Sequence, residues 1–556
     1  MSQSDNISMY AADGTPLKKS LARALRREKL RALLLIAPLL IFVLMTFIVP
    51  IGNMLFRSVE NQMVEKIIPR TVDLINDWNP QSAKLPPDEV FKAAFYDLSL
   101  AVEAKEHTKL GTRLNYEQTG ASSTFRKSGR GLDDPGKDLS KLLSKFDRSW
   151  KDRKTLLELF NADGADENKN LIKTQIERLG VLEGKEYQGK IDFLPSSQIS
   201  QALPLASREY TMWAVFTSLE EEKKLSKAKP WPSIYVALID DLQNEENKQL
   251  IENLDFDLGE LIRKTFEYAN SLPKVDYKQI MIDADEGWAD PKIWVTIKTH
   301  SSKFTSGYFL NAIDMQKTLD GIKAQPENKQ ILIKLFNRTV QMSLIITFSC
   351  ILLGYPIAWL LANLPTRISN LLMILVLLPF WTSLLVRTSA WKVMLQQQGV
   401  INEVLVWLGI VSTDNRLEII HNQFGTIVAM THILLPFMIL PMYSVMQTIP
   451  PSYLRAAKSL GATNWTAFWR VYFPQSIPGI GAGSILVFIL SIGYYITPEI
   501  VGGREGVFIS NRIAYHISSS LNWGLAAALG AILLAVVLIL YWAYDKIEGI
   551  DNVKLG

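Results

Sequence analysis

Apolar residues gather into six long stretches: 32–56, 340–364, 368–386, 422–454, 471–498 and 525–544. Five contain no Asp, Glu, Lys, Arg or His, and residues 422–454 carry only His432. A helix crossing the hydrocarbon of a bilayer needs about 20 largely apolar residues, so each stretch predicts one membrane span. Pro38, Pro356, Pro379, Pro436 and Pro441 lie inside these stretches. Such prolines break helices in water, whereas membrane helices tolerate them because neighbours satisfy the freed backbone groups. The first stretch is too long for the core of a signal peptide, and no small-residue cleavage site follows it, so it reads as an anchor.

Between residues 58 and 330 the pattern changes. Apolar positions recur three and four apart over 89–105, 139–160, 209–227 and 244–269, which predicts helices. Residues 184–193 and 292–298 read as strands, the latter from the alternation of Ile293, Val295 and Ile297. Residues 79–87, 129–136 and 272–273 read as loops. The expected architecture is a membrane all-α fold of six transmembrane helices with a large, mostly helical (α or α+β) insertion between the first two. Its parts are a basic segment at 1–31, the first span at 32–56, a soluble insertion at 58–330, and a core at 334–556 holding the other five spans.

Charge sharpens this division. Residues 58–330 hold 38 Lys and Arg against 44 Asp and Glu, a balance of −6, leaving +10 on the remainder of a chain whose total is +4. Leu17, Leu21 and Leu25 stand four apart among Lys18, Lys19, Arg23, Arg26, Arg27, Lys29 and Arg31. That spacing fits an amphipathic helix on the membrane surface, and equally a basic flank that only sets topology. The positive-inside rule puts this segment in the cytoplasm. Counting spans then puts Arg367 and the loop 450–478 inside and residues 58–330 outside. The inner loop agrees, for it carries Arg455, Lys458 and Arg470 and no acid. Cys350 is the single cysteine, so no disulfide forms within the chain.

Nucleotide chemistry is set aside on the residues. The run Gly131-Leu-Asp-Asp-Pro-Gly136-Lys137-Asp138 approaches a phosphate-binding loop, but Asp138 replaces the hydroxyl that would ligate magnesium. There is no HExxH, paired-cysteine or nucleophile-elbow pattern, and the five histidines are scattered. No catalytic residue, metal site or cofactor is expected on this chain.

The most specific stretch is Leu454-Arg455-Ala456-Ala457-Lys458-Ser459-Leu460-Gly461-Ala462, followed by Phe468 and Val471-Tyr472-Phe473-Pro474. It resembles the EAA loop of type I ABC importer permeases. Gly354-Tyr355-Pro356-Ile357-Ala358, the run from Leu378 to Thr388 (LPFWTSLLVRT), Leu435-Pro436-Phe437, Thr497-Pro498-Glu499-Ile500-Val501-Gly502-Gly503 and Asn522-Trp523-Gly524 add to the likeness, which is to the spermidine/putrescine-type subunits. The resemblance implies a bacterial inner-membrane, binding-protein-dependent importer. Its partners would be a dimer of ATPase subunits carrying ATP and magnesium, a second permease, and a periplasmic binding protein.

On that resemblance Arg455, Ala456, Ala457, Leu460, Gly461, Ala462 and Trp465 are the candidate ATPase-docking residues. Small side chains at 456 and 457 allow close approach, and Gly461 permits a sharp turn. The family usually has Glu where Arg455 stands, so either the partner offers an acid or that contact is absent. Trp381, Thr382, Arg387, Tyr494, Tyr495 and Glu499 are the candidate pathway residues, since polar groups inside spans are costly. Arg387 and Glu499, at the outer ends of their spans, are candidates for a mouth lining or a mutual ion pair. Polyamines are cations that aromatic faces attract, but the motifs leave the substrate open. Two other classes compete. A membrane receptor would need a cytoplasmic output domain, and only twelve residues follow Tyr544. An ion-coupled carrier would favour charges at mid-membrane.

Overall fold

The computed structural model describes residues 17–82, 84–162, 193–318 and 321–548. Contacts divide the chain into two units: Met1–Val59 with Asn311–Asp314 and Pro326–Gly556, and Glu60–Leu310 with Met315–Gln325.

Among the described residues the first unit holds five helices long and apolar enough to cross a membrane, and a sixth candidate that is bent. Helix Leu25–Arg57 has none of its most apolar stretch buried within the chain. It touches the last helix, Trp523–Tyr544, near its end: Gly530 faces Met54, and the Arg57 guanidinium lies 6.0 Å over the Trp523 ring. Helices Leu332–Asn363, Gln423–Gln447 and Asn464–Gly493 form the centre. Met342, Ile346, Cys350, Met430, Leu434, Met438 and Val487 are buried where they meet. Glycine makes that meeting close. A Cβ added at Gly483 would stand 2.7 Å from the Met438 sulfur, and one at Gly479 3.0 Å from the Met442 Cα. Bilayer helices gain little from hiding apolar surface, so small residues and close dispersion contacts hold them together.

The expected straight span at 368–386 is instead a corner. Helices Thr366–Trp381 and Leu384–Trp407 meet at 94°. Pro379 cannot donate a backbone hydrogen bond, and the helix tightens into a 3₁₀ turn over Leu378–Trp381 before it stops. The Ser383 hydroxyl then caps the next helix, accepting from the Val386 amide at 3.2 Å.

The second unit is a helical domain, with a two-stranded antiparallel hairpin pairing Met315 with Ala324 through to Thr318 with Gly321. Helices Asp88–Glu103, Pro204–Leu219 and Pro232–Leu242 supply much of its core. Proline opens the latter two, where a missing N–H costs nothing. The roots of the unit meet: Glu60 bridges to Phe304, and the Asn61 amide donates to the Lys303 carbonyl at 2.8 Å.

Several expectations for this region are corrected. Residues 292–298 lie in helix Pro291–Thr299, whose N-terminus Asp290 caps at the Lys292 amide, 2.9 Å away. Ile293, Trp294 and Ile297 are its buried side, at helical spacing. The expected helix over 139–160 breaks after Phe146, where Asp147 turns its carboxylate onto the Ser149 amide. The helix expected over 209–227 ends at Leu219, and the one over 244–269 is two pieces, Lys248–Glu252 and Gly259–Asn270. Of the expected strand at 184–193, all but Phe193 lies outside the described residues. The near-phosphate loop at Gly131–Asp138 is a helix-to-helix turn in which Gly136 presses against the Pro232 carbonyl and Lys137 pairs with Asp133 at 3.3 Å.

Candidate functional site

The candidate docking loop is built around one turn. Helix Pro451–Ser459 stops at Gly461, whose φ of +89° suits a residue without Cβ. The Gly461 amide donates to the Lys458 carbonyl at 3.0 Å and the Ala462 amide to the Ala457 carbonyl at 3.1 Å. This pair of bonds is a Schellman C-cap, which satisfies the last carbonyls and redirects the chain. The Thr463 hydroxyl then accepts from the Thr466 amide at 3.2 Å and starts the following helix. The turn sets Leu460 and Trp465 almost bare, 89% and 72% exposed. Arg455 and Ala456 are exposed beside them, and Ala457 and Ala462 are half-buried.

An aromatic row ties this surface to the bundle. Trp465, Trp469 and Phe473 follow at helical spacing, with ring centres 5.6 and 4.8 Å apart. Tyr355, from the Leu332–Asn363 helix, lies 6.2 Å from Phe468 and 5.8 Å from Phe473, and its hydroxyl is 3.0 Å from that of Ser476. The exposed surface at Leu460 and Trp465 is therefore continuous with the central helices. The fourfold spacing of the aromatics is legible in the sequence; the Tyr355 contact, more than 100 residues away, is not.

The pathway candidates separate into two groups. Trp381 and Thr382 stand at the corner, Trp381 being 75% exposed. Arg387 folds back over that corner, its guanidinium donating to the carbonyls of Pro379 and of Thr382, the latter at 3.1 Å. Glu499 accepts from the Asn511 side chain at 2.6 Å. The expected Arg387–Glu499 ion pair is thus absent among the described residues. The broken helix frees carbonyls near Arg387, and they take its donors. Tyr494 and Tyr495 lie beside Glu499, their carbonyls accepting from Ser510 at 2.6 Å and Asn511 at 2.9 Å.

Two polar links went unforeseen. Thr388 and Thr497 hydroxyls meet at 3.1 Å, and the Trp391 indole donates to His432 Nδ1 at 3.1 Å. Both bind the corner to helices distant in sequence.

Residues 354–549 match the family described as "Binding-protein-dependent transport system inner membrane component". The spermidine/putrescine transport system permease protein PotB of Salmonella typhimurium (strain SL1344) is 36% identical over 38% of this chain and 73% of its own length. The chain belongs to that family. As a member it is an ABC importer permease subunit, a multi-pass component of the inner membrane. PotB of Escherichia coli (strain K12) is 35% identical over 38% of this chain and 76% of its own. The molybdenum transport system permease protein ModB of Mycobacterium bovis matches at 29% over 34% of this chain and 70% of its own. A crystal structure of the bacterial alginate ABC transporter covers 39% of this chain and 77% of that one, at 19% identity and TM-score 0.32. The matched portion contains the turn at Gly461 and the corner.

Proposed function

We propose that this chain forms the substrate path of an importer whose ATPase is a separate subunit, and that residues 450–478 are the docking loop for it. The observation that carries this reading is the exposure of Leu460 and Trp465 on a rigidly capped turn. Apolar side chains so placed gain most from a partner surface that covers them. Ala456 and Ala457 let that surface approach, and Gly461 fixes the angle of the loop. The second permease completes the path, and the binding protein delivers the solute. Trp381, Thr382, Tyr494, Tyr495 and Glu499 serve as pathway candidates, while Arg387 serves to hold the corner.

The N-terminus and the docking loop are cytoplasmic in this reading, and residues 58–330 lie in the periplasm. The inserted unit contacts the binding protein or shields the entrance. The names of the PotB relatives make a polyamine or related amine the first solute to test.

The test is co-purification. The wild-type chain brings down its ATPase and second permease, and hydrolysis appears only in the assembled complex. Robust ATP hydrolysis by this chain alone, or unchanged capture of the ATPase by a chain whose loop 450–478 is scrambled, refutes the reading. The role of the insertion is tested separately, by cross-linking it to the binding protein and by replacing it with a short linker. Intact uptake after replacement refutes a delivery role.

A further inference from the structure

The first unit contains a cavity of about 800 Å³, lined by the start of helix Leu332–Asn363 and by the residues joining helices Asn464–Gly493 and Trp523–Tyr544. This is the size range of small-molecule sites. Its walls carry four cationic side chains, Lys334, Arg338, Arg504 and Arg512, against one carboxylate, that of Glu499. Among the described residues none of the four lies within ion-pair distance of an acid. Arg338 donates instead to the Arg504 carbonyl at 2.8 Å. Arg512 lies 5.7 Å over the Tyr515 ring, so that aromatic face already has a cation of this chain on it. Glu499 is engaged by Asn511 at 2.6 Å.

We infer that this cavity binds an anionic group, a phosphate or a carboxylate, and not a free polycation. Four like charges converging on one concave site raise the local potential, and the low dielectric of the surrounding bundle focuses it. A polyamine entering here meets net repulsion, and the one acid it would use already has a donor. An anion meets two guanidinium forks that can bind it in paired, charge-assisted hydrogen bonds. The inference rests on the permease reading but not on the solute that the relatives' names suggest. Two sources present the same chemistry: a free anionic solute, or the headgroup of an anionic lipid at the rim of the bundle.

The experiment uses the full chain, alone and co-assembled with its ATPase, in nanodiscs of phosphatidylcholine. Labelled inorganic phosphate, citrate and spermidine are each dialysed to equilibrium at low salt. A parallel set of discs contains phosphatidylglycerol and no free anion, and bound lipid is counted by native mass spectrometry. Saturable binding of phosphate or citrate, weakened about tenfold or more by Arg504→Gln with Arg512→Gln and regained by Arg504→Lys with Arg512→Lys, supports the inference with a solute as the source. Retention of phosphatidylglycerol, lost in the same glutamine variant, supports it with a lipid as the source. Spermidine binding that Glu499→Gln removes overturns it, as does failure of all three anions to bind the wild-type chain. Co-purification of the ATPase is scored independently. Its loss counts against the permease reading, while the dialysis of the chain alone still decides whether the cavity takes an anion.

Discussion

The two units place their tryptophans in opposite ways. In the inserted unit Trp150, Trp213, Trp288 and Trp294 are fully buried. Each indole N–H finds an acceptor: Thr265, the Lys229 carbonyl, Ser128 and the Trp288 carbonyl. In the membrane unit Trp381, Trp407, Trp465 and Trp542 are exposed, and the centre is mainly methionine, isoleucine and leucine, with Tyr472 and Phe508 its buried aromatics. Charge is also inverted. The inserted unit buries Arg70 between Asp97 at 3.7 Å and Glu209 at 2.5 Å, with the Thr71 amide also donating to Asp97. Water rewards the hiding of bulky apolar surface and leaves the polar remainder outside. Lipid gives no such reward, so packing there depends on close approach, and large apolar groups face outward. Within the membrane unit, Leu460 on the turn after helix Pro451–Ser459 and Trp465 at the start of helix Asn464–Gly493 are the apolar exposures that the proposed ATPase contact would cover.

The sharpest way to break this contrast is at the docking loop. Gly461→Pro and Ala457→Glu each reduce ATPase capture to background while insertion into the membrane is unchanged. Proline cannot adopt the positive φ, and Glu carries a charge into a close contact. Pull-down with the ATPase measures this, and retained capture would refute the role of the turn. Arg455→Glu, which restores the family's usual residue, separates a docking charge from a bystander: capture changes only if the ATPase reads position 455.

A second break lies in the inserted unit. Asp97→Ala leaves Arg70 with half its partners and empties the acceptor of Thr71. Removing one partner of a buried ion pair costs about 3–5 kcal/mol. Thermal unfolding followed by hydrogen exchange in helix Asp88–Glu103 is expected to drop steeply, with the central membrane helices protected as before. Equal loss in both units would show that they do not fold independently.

The third break is milder and lies in lipid. Gly483→Val drives a branched side chain into Met438, and overpacking of this kind costs about 1–3 kcal/mol. Detergent-unfolding of the membrane unit reads it. Absence of any loss would mean that the glycine contact is loose.

The smallest effect is in pH. Burial pushes the Asp241 carboxyl up to about 7, against the Ala206 amide that donates to it, and Asp240 adds to the rise. Burial, with Asp133 and Glu221 nearby, takes Glu103 to about 7 as well. Between their ordinary range near 4 and about 7, the folded unit holds protons that the unfolded chain has lost. Its stability therefore falls as pH rises across that window and levels off above it. His300, held down to about 4 mainly by burial, acts in the other direction, removing stability as pH falls from 6.5 toward 4. Asp241→Asn keeps an acceptor for the Ala206 amide and flattens the loss between pH 5 and 7. An unchanged slope in denaturation curves would exclude Asp241 as a source.

The long apolar stretches and the sharp turn at Gly461 are legible in the sequence, because each depends on local composition or spacing. The corner at Thr382 and Ser383 was hidden. Its residues are as apolar as a straight span, and only Pro379 hints at a break that Arg387 then secures. The helix at Pro291–Thr299 was misread because Ile293, Val295 and Ile297 alternate; Trp294, at an even position, is buried and Val295 only partly so. The partners of Arg387 and Glu499 depend on residues that fold into place from elsewhere, which spacing along the chain does not encode.

Helix Leu25–Arg57 has a consequence in time. Its seat within the chain is against Gly530 and Trp523, in the last of the candidate spans to be made. At synthesis rates of about 5–20 residues per second, the interval between the two is on the order of half a minute or more. Through that interval the helix stands in the bilayer without its intrachain neighbour, its leucine and isoleucine side chains open to lipid or to another subunit. Whatever occupies that flank first competes with the chain's own closure, so the order of subunit production can determine which assembly forms.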